Sequence, residues 1–187
     1  MFLGMAACNA NPLLHEASAN YDPIAVGDQW SYGGANGMLV TITGTQVYHG
    51  RLAYVENQVA NSNHALTVNY WSFAGGDWLQ WDSSQNAWTL YRRLPYVTGN
   101  SWPIPSGLAT VQIDTIVDGT ENLSLGSGYF ANCFKLRTVT QSFAGGVTST
   151  TQTLAWAAPG IGDVQYGFVD ASGTTNVTTD LTAYQVH

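Results

Sequence analysis

Pro23-Ile24-Ala25-Val26-Gly27-Asp28-Gln29-Trp30 and Pro95-Tyr96-Val97-Thr98-Gly99-Asn100-Ser101-Trp102 are one string written twice, Pro-x-x-x-Gly-[Asp/Asn]-x-Trp. The Pro, the Gly and the Trp each recur 72 positions later. A repeat at that distance predicts a single domain over 23–187 made of two related halves, 23–94 and 95–187, with Trp30 and Trp102 at equivalent strand starts. A second echo supports it. Tyr70-Trp71-Ser72-Phe73, followed by Gly76-Asp77-Trp78-Leu79-Gln80-Trp81, lines up with Ala155-Trp156-Ala157-Ala158 followed by Gly162-Asp163-Val164-Gln165-Tyr166. The spacing there has grown to 85 or 86 positions, as a longer loop in the second half would cause.

Within each half the hydrophobic period is two. Val40 and Ile42 alternate with Thr41 and Thr43, and Val111, Ile113, Thr115 and Val117 alternate with Gln112 and Asp114. Such runs are half-buried strands. Turn signals separate them at Gly33-Gly34, His49-Gly50, Gly75-Gly76, Asp118-Gly119, Gly145-Gly146 and Ser172-Gly173, which divides the chain into about ten strand-length segments. The expected fold is all-β, an antiparallel sandwich, half-barrel or barrel, with helix confined to a short turn around 13–19. Charged residues are only 9% of the chain, and twelve acids against five bases give a net charge of −7. No basic run exists, so nucleic acid is not an expected partner.

Residues 1–22 read as a leader and tether. Met1-Phe2-Leu3-Gly4-Met5-Ala6-Ala7 is apolar and small up to Cys8, and the chain then turns polar. This resembles the lipobox of bacterial lipoproteins, which implies Cys8 as the lipidated residue and a lipid anchor as the only membrane contact. Cys133, the other cysteine, lies in a strand-like run without a basic neighbour or a partner cysteine at metal-binding spacing, and reads as a small core residue.

Three stretches together resemble a group of bacterial secreted lipoproteins. They are Tyr21-Asp22-Pro23 through Gly27 to Trp30-Ser31-Tyr32, then Gly128-Tyr129-Phe130 to Lys135-Leu136, then Trp156-Ala157-Ala158-Pro159-Gly160-Ile161-Gly162-Asp163-Val164. The pattern of those lipoproteins is Y-x-P-L-x-x-G-x-x-W-x-Y, G-x-F-x-x-x-K and W-x-A-P-G-x-G-x-V. The resemblance implies an envelope-anchored β-rich domain (outer membrane, periplasm or cell surface), and the family has no settled biochemical activity to transfer.

Chemistry is scarce in the sequence. Nucleophile elbow, zinc-protease helix, phosphate loop and dinucleotide fingerprint are all absent, and His49 and His64 sit beside turns. Asp77 and Asp82 flank one strand about 16 Å apart, too far for a paired acid and base. Asp114, Asp118 and Glu121 miss calcium-loop spacing. No catalytic residue, metal or cofactor is expected. What stands out is aromatic: Trp71, Phe73, Trp78, Trp81, Trp88 and Tyr91 fall within 21 residues on a three-stranded meander. Pleating sends Trp71 and Phe73 to one face and Tyr70 to the other. Trp78, Trp81, Trp88 and Tyr91 are the candidate ligand-binding residues, able to stack on a sugar or a partner protein. Arg92-Arg93 could meet an acidic partner or stack on a Trp. Three readings follow: a non-catalytic envelope domain that binds a protein or glycan through exposed aromatics, a half-barrel carrier of a hydrophobic ligand, and a hydrolase with an unrecognised site.

Overall fold

The computed structural model describes residues 21–187, so Cys8 and the turn around 13–19 lie outside the described residues. Twelve strands form one antiparallel sheet: β1 (Gln29–Gly34), β2 (Met38–Tyr48), β3 (Arg51–Ala60), β4 (Leu66–Ala74), β5 (Asp77–Asp82), β6 (Ala87–Arg93), β7 (Ser101–Ile104), β8 (Val111–Leu125), β9 (Gly128–Ala144), β10 (Val147–Ala158), β11 (Gly162–Val169) and β12 (Thr175–Gln185). Their spatial order is β6-β5-β4-β3-β2-β1-β12-β11-β10-β9-β8-β7. Every neighbour but one is also a neighbour in sequence, the exception being β1 against β12. The sheet curls until its two edges, β6 and β7, approach each other, so of the three expected architectures the nearly closed barrel is the one formed.

The β6/β7 seam has no backbone ladder. Side chains bridge it: the Trp102 indole donates to the Tyr91 carbonyl at 3.2 Å, and Gln85 Nε2 donates to the Pro105 carbonyl at 3.0 Å. An unpaired edge invites foreign strands, and this arrangement hides two of them against one another.

Both Pro-x-x-x-Gly strings adopt the same turn. Gly27 N–H donates to the Ile42 carbonyl while Ile42 N–H donates to the Asp28 carbonyl, and Gly99, Val117 and Asn100 repeat that exchange. Gly27 and Gly99 have φ of 99° and 87°, which excludes an unstrained side chain at either position. Trp30 and Trp102 then occupy the second position of β1 and of β7, both buried.

The tether ends earlier than its polarity suggests. Asp22 is 1% exposed and Tyr21 packs edge-on against Phe134 at 4.7 Å, so both belong to the barrel. Asp22 is drawn in because the barrel holds a cation for it, described below. On the far side, the long β8–β9 hairpin bends at two register shifts. Its tip seats Leu123, Phe130 and Cys133 in one cluster with Leu154, Trp156 and Ala158. Burial pushes the Cys133 thiol up to about 11, so it stays protonated and packs as a hydrophobe.

Candidate luminal site

Residues paired across an antiparallel ladder share a face, and that fixes the lining of the barrel. Trp30 faces Val40, Ile42 faces Glu56, Glu56 faces Asn69, Phe73 faces Trp78, and Trp78 faces Arg92. From the other half, Trp102 faces Thr115, Thr115 faces Thr138, Thr138 faces Thr153, and Ala155 faces Tyr166. A register shift between Trp78 and Leu79 lets the consecutive residues Tyr91 and Arg92 both reach the lumen.

Two chambers open along the lumen among the described residues. The larger, of 340 Å³, is lined by Thr115, Thr138, Thr153 and Thr178 together with Leu136, Ala155 and Phe168. The smaller, of 80 Å³, lies among Trp30, Tyr32, Glu56, Trp71, Trp78 and Asp163. They meet at Tyr91, Arg92 and Tyr166, which line both.

Arg92 is the partition. Its Nη1 lies 2.6 Å from Asp22 Oδ1 and its Nη2 2.7 Å from Asp163 Oδ2, with all three side chains at most 10% exposed. The guanidinium carbon stands 5.0 Å from the centre of the Tyr91 ring and 5.7 Å from that of Trp78. Tyr96 donates its hydroxyl proton to Asp22, Tyr166 donates to Asp163 Oδ2 at 2.8 Å, and Tyr32 donates to the Asp163 carbonyl at 2.8 Å. Burial raises the Asp22 carboxyl pKa, and the Arg92 charge pulls it partly back. The facing acids hold Arg92 charged well above its ordinary range against the desolvation that opposes it.

Glu56 is a buried carboxyl that pairs with no cation among the described residues. Its Oε1 accepts from Gln58 Nε2 at 2.8 Å and Asn69 Nδ2 at 2.9 Å. Burial raises its pKa above 4.5, and these amides offset that only in part. A carboxyl that holds its proton more tightly folded than unfolded stabilises the fold at low pH, and that contribution is lost as pH rises above 4.5 through the folded value. Glu56→Gln, which keeps the acceptor oxygen, is therefore expected to be more stable than wild type at pH 7 and to converge with it below 4.5. Urea denaturation across pH 3–8 checks this; a Gln variant less stable at pH 7 contradicts it. Asp22 contributes with the same sign, so the variant keeps part of the slope.

The four aromatic residues singled out in the sequence do not form one surface. Trp78 and Tyr91 line the lumen. Trp81 and Trp88 pair with each other on the outer face, edge to face at 5.6 Å and half-buried. That outer strip is largely self-covered: Tyr48 stacks on Tyr70 at 3.7 Å, His49 stacks on Trp81 at 3.8 Å, and the Trp88 indole donates to the His49 carbonyl at 3.4 Å. Cross-strand pairing accounts for these rings.

Arg92 and Arg93, adjacent in sequence, part company. Arg92 is internal, while Arg93 pairs outside with Asp77 at 2.9 Å. Asp82 caps its own turn, accepting from Ser84 and Gln85. Sequence reading missed Asp22, Tyr32, Glu56, Asp163 and Tyr166. The available signal was scarcity: in a chain with 9% charge, a Glu or Arg within an alternating strand has few reasons to be there.

No family model matches the chain, and no curated protein matches it. Two solved structures are similar in fold. One is a Bacteroides fragilis protein described as exported and with a YmcC-like fold; the other is a Parabacteroides distasonis protein described as a lipoprotein. Each superposes with a TM-score of 0.57 at 14% identity, covering 89% of this chain and 99% of its own. The chain shares the fold of these two proteins.

Proposed function

We propose that this chain is a non-catalytic ligand-binding barrel of the bacterial cell envelope, anchored through Cys8, that holds one neutral sugar-sized molecule in the 340 Å³ chamber. The chamber carries the reading. At 340 Å³ it stands at the small end of the range for small-molecule pockets, about 300–1,000 Å³, which suits a ligand of sugar size. Threonine hydroxyls on four strands offer donors and acceptors around the walls, while Tyr91, Tyr166 and Phe168 offer rings to the apolar face of a pyranose. The ion pairs of Arg92 are already made, so the floor neither attracts nor needs a charged ligand.

The envelope address is supported by the small apolar run before Cys8 and by the descriptions of the two structural neighbours as exported and as a lipoprotein.

Protein purified under native conditions from its own bacterium tests both parts. Intact-mass measurement is expected to show a chain beginning at an acylated Cys8, and denaturing extraction to release a neutral carbohydrate near one equivalent. A mature chain retaining Met1 without acylation refutes the anchor. An extract with no carbohydrate, or with fatty acid at stoichiometry, refutes the ligand.

A further inference from the structure

Strand β10 outruns its neighbour β11. The β10–β11 ladder reaches only to Gln152 opposite Val169, whereas the β9–β10 ladder runs without a register shift from Ala157 opposite Phe134 to Val147 opposite Ala144. Residues 147–151 therefore have one backbone edge paired and the other free, over about 17 Å. All five are exposed.

A free edge is a template for another strand, and folds guard theirs. This barrel does so elsewhere. Strands β6 and β7 shield each other. Residues 118–125 of β8 run past the β7 ladder but carry Asp118, Glu121 and two register shifts. Residues 43–48 of β2, beyond the β1 ladder, begin at a register shift, and their tip is held down where His49 stacks on Trp81. Residues 66–70 of β4, beyond the β5 ladder, are covered where Tyr48 stacks on Tyr70. Residues 147–151 carry no such guard: they hold no charge, no proline and no register shift, and no residue from 138 to 162 is charged. Asp170, in the adjoining β11–β12 turn, is engaged with Ser172, Thr174 and Asn176.

The same segment of a second copy fits this edge. The projecting strand is as long as the edge it covers, because they are the same five residues, and four of the five are β-branched. Antiparallel pairing about a two-fold axis sets Val147 of one copy opposite Thr151 of the other, Thr148 opposite Thr150, and Ser149 opposite its own counterpart. The tip, Gly145-Gly146, brings no side chain against the β11–β12 turn. Exposed apolar side chains stand on both parts: Phe143 and Val147 on the projecting ribbon, Phe168 and Val177 near the ends of the two strands it outruns. We infer that two copies of this chain associate through residues 147–151, edge to edge, about an axis at Ser149. The contact is small, so the association is weak and concentration-dependent. Phe168 also lines the larger chamber, which puts the second copy at that chamber's rim. The pairing rests on the fold alone and not on what the lumen carries.

Sedimentation velocity of the full chain with Cys8→Ser, which removes acylation and any disulfide at that cysteine, reads the pairing from about 5 to about 500 µM, a span that covers weak association. A monomer that passes into a dimer as concentration rises is the expected result. Ser149→Lys and Ser149→Glu each set like charges face to face on the axis and should weaken the dimer at least about tenfold. Thermal unfolding should stay that of the parent, because the position is exposed in the monomer. Mixing the two variants should restore the dimer, since opposite charges then meet at the axis. Amide exchange of the parent at the highest concentration should slow at 147–151. A parent that stays monomeric throughout overturns the inference. So does a dimer that survives both substitutions, a mixture that fails to re-form it, or exchange at 147–151 that is the same in monomer and dimer.

Discussion

Replacing Arg92 by Met is expected to cost about 3–5 kcal/mol of folding stability, measured by equilibrium denaturation at pH 7. The size follows from what is left behind. Asp22 and Asp163 lose their common cation while remaining out of water, and Tyr96 and Tyr166 cannot neutralise them. A buried ion pair adds little over an apolar replacement of the whole group, whereas deleting one member strands the others. Adding Asp22→Asn and Asp163→Asn to Arg92→Met should therefore recover much of the loss. Arg92→Lys should not match the wild type, because one ammonium cannot reach two carboxylates through the two ends of a planar fork. A loss below 1 kcal/mol for Arg92→Met would mean that the acids are hydrated rather than enclosed.

Trp102→Ala should cost a similar amount, about 3–5 kcal/mol. The ring is 2% exposed, packs parallel to Tyr96 and belongs to the cluster with Leu94, Val117 and Leu136. Its location adds a second consequence. Because the indole N–H crosses the β6/β7 seam to Tyr91, deletion opens the one junction that no ladder closes. Trp102→Phe separates the two effects: it keeps most of the packing and should cost about 1 kcal/mol for the hydrogen bond. Amide hydrogen exchange is expected to accelerate in β6 and β7 for both variants while β10 and β11 stay protected. Uniform acceleration across the sheet would contradict the special role of the seam.

The β class, the meander carrying Trp71 to Tyr91 and the Gly-turn before each Trp were legible because they are local: a period of two and a positive φ are written in consecutive residues. The relation between the halves is a proposal supported by the matching hydrogen bonds of Gly27 and Gly99 and by six strands on each side of the chain's midpoint. Closure of the sheet was not legible, since β1 meets β12 only after the whole chain has passed between them. The luminal site was hidden for the same reason. Asp22, Arg92 and Asp163 are about 70 residues apart from one to the next and meet only when the barrel curls. Register shifts concealed more, because strict alternation puts Tyr91 and Arg92 on opposite faces, whereas the shift beside Leu79 admits both. Trp81 and Trp88 looked equivalent to Trp78 because composition records ring count and not the face each ring takes.

Native mass spectrometry of two variants, each purified from the native host, tests most directly whether the proposed ligand sits in the lumen or on the outer aromatic strip. Ala155→Phe places a ring in the 340 Å³ chamber, where space for it exists; Trp81→Ala with Trp88→Ala strips the outer pair and leaves the lumen untouched. Thermal unfolding of each confirms that it is folded before the comparison. The expected result is a neutral adduct of monosaccharide mass on the wild type and on the double Trp variant, absent from Ala155→Phe. An adduct retained by Ala155→Phe and lost from the double Trp variant would contradict the luminal site and place recognition on the outer face.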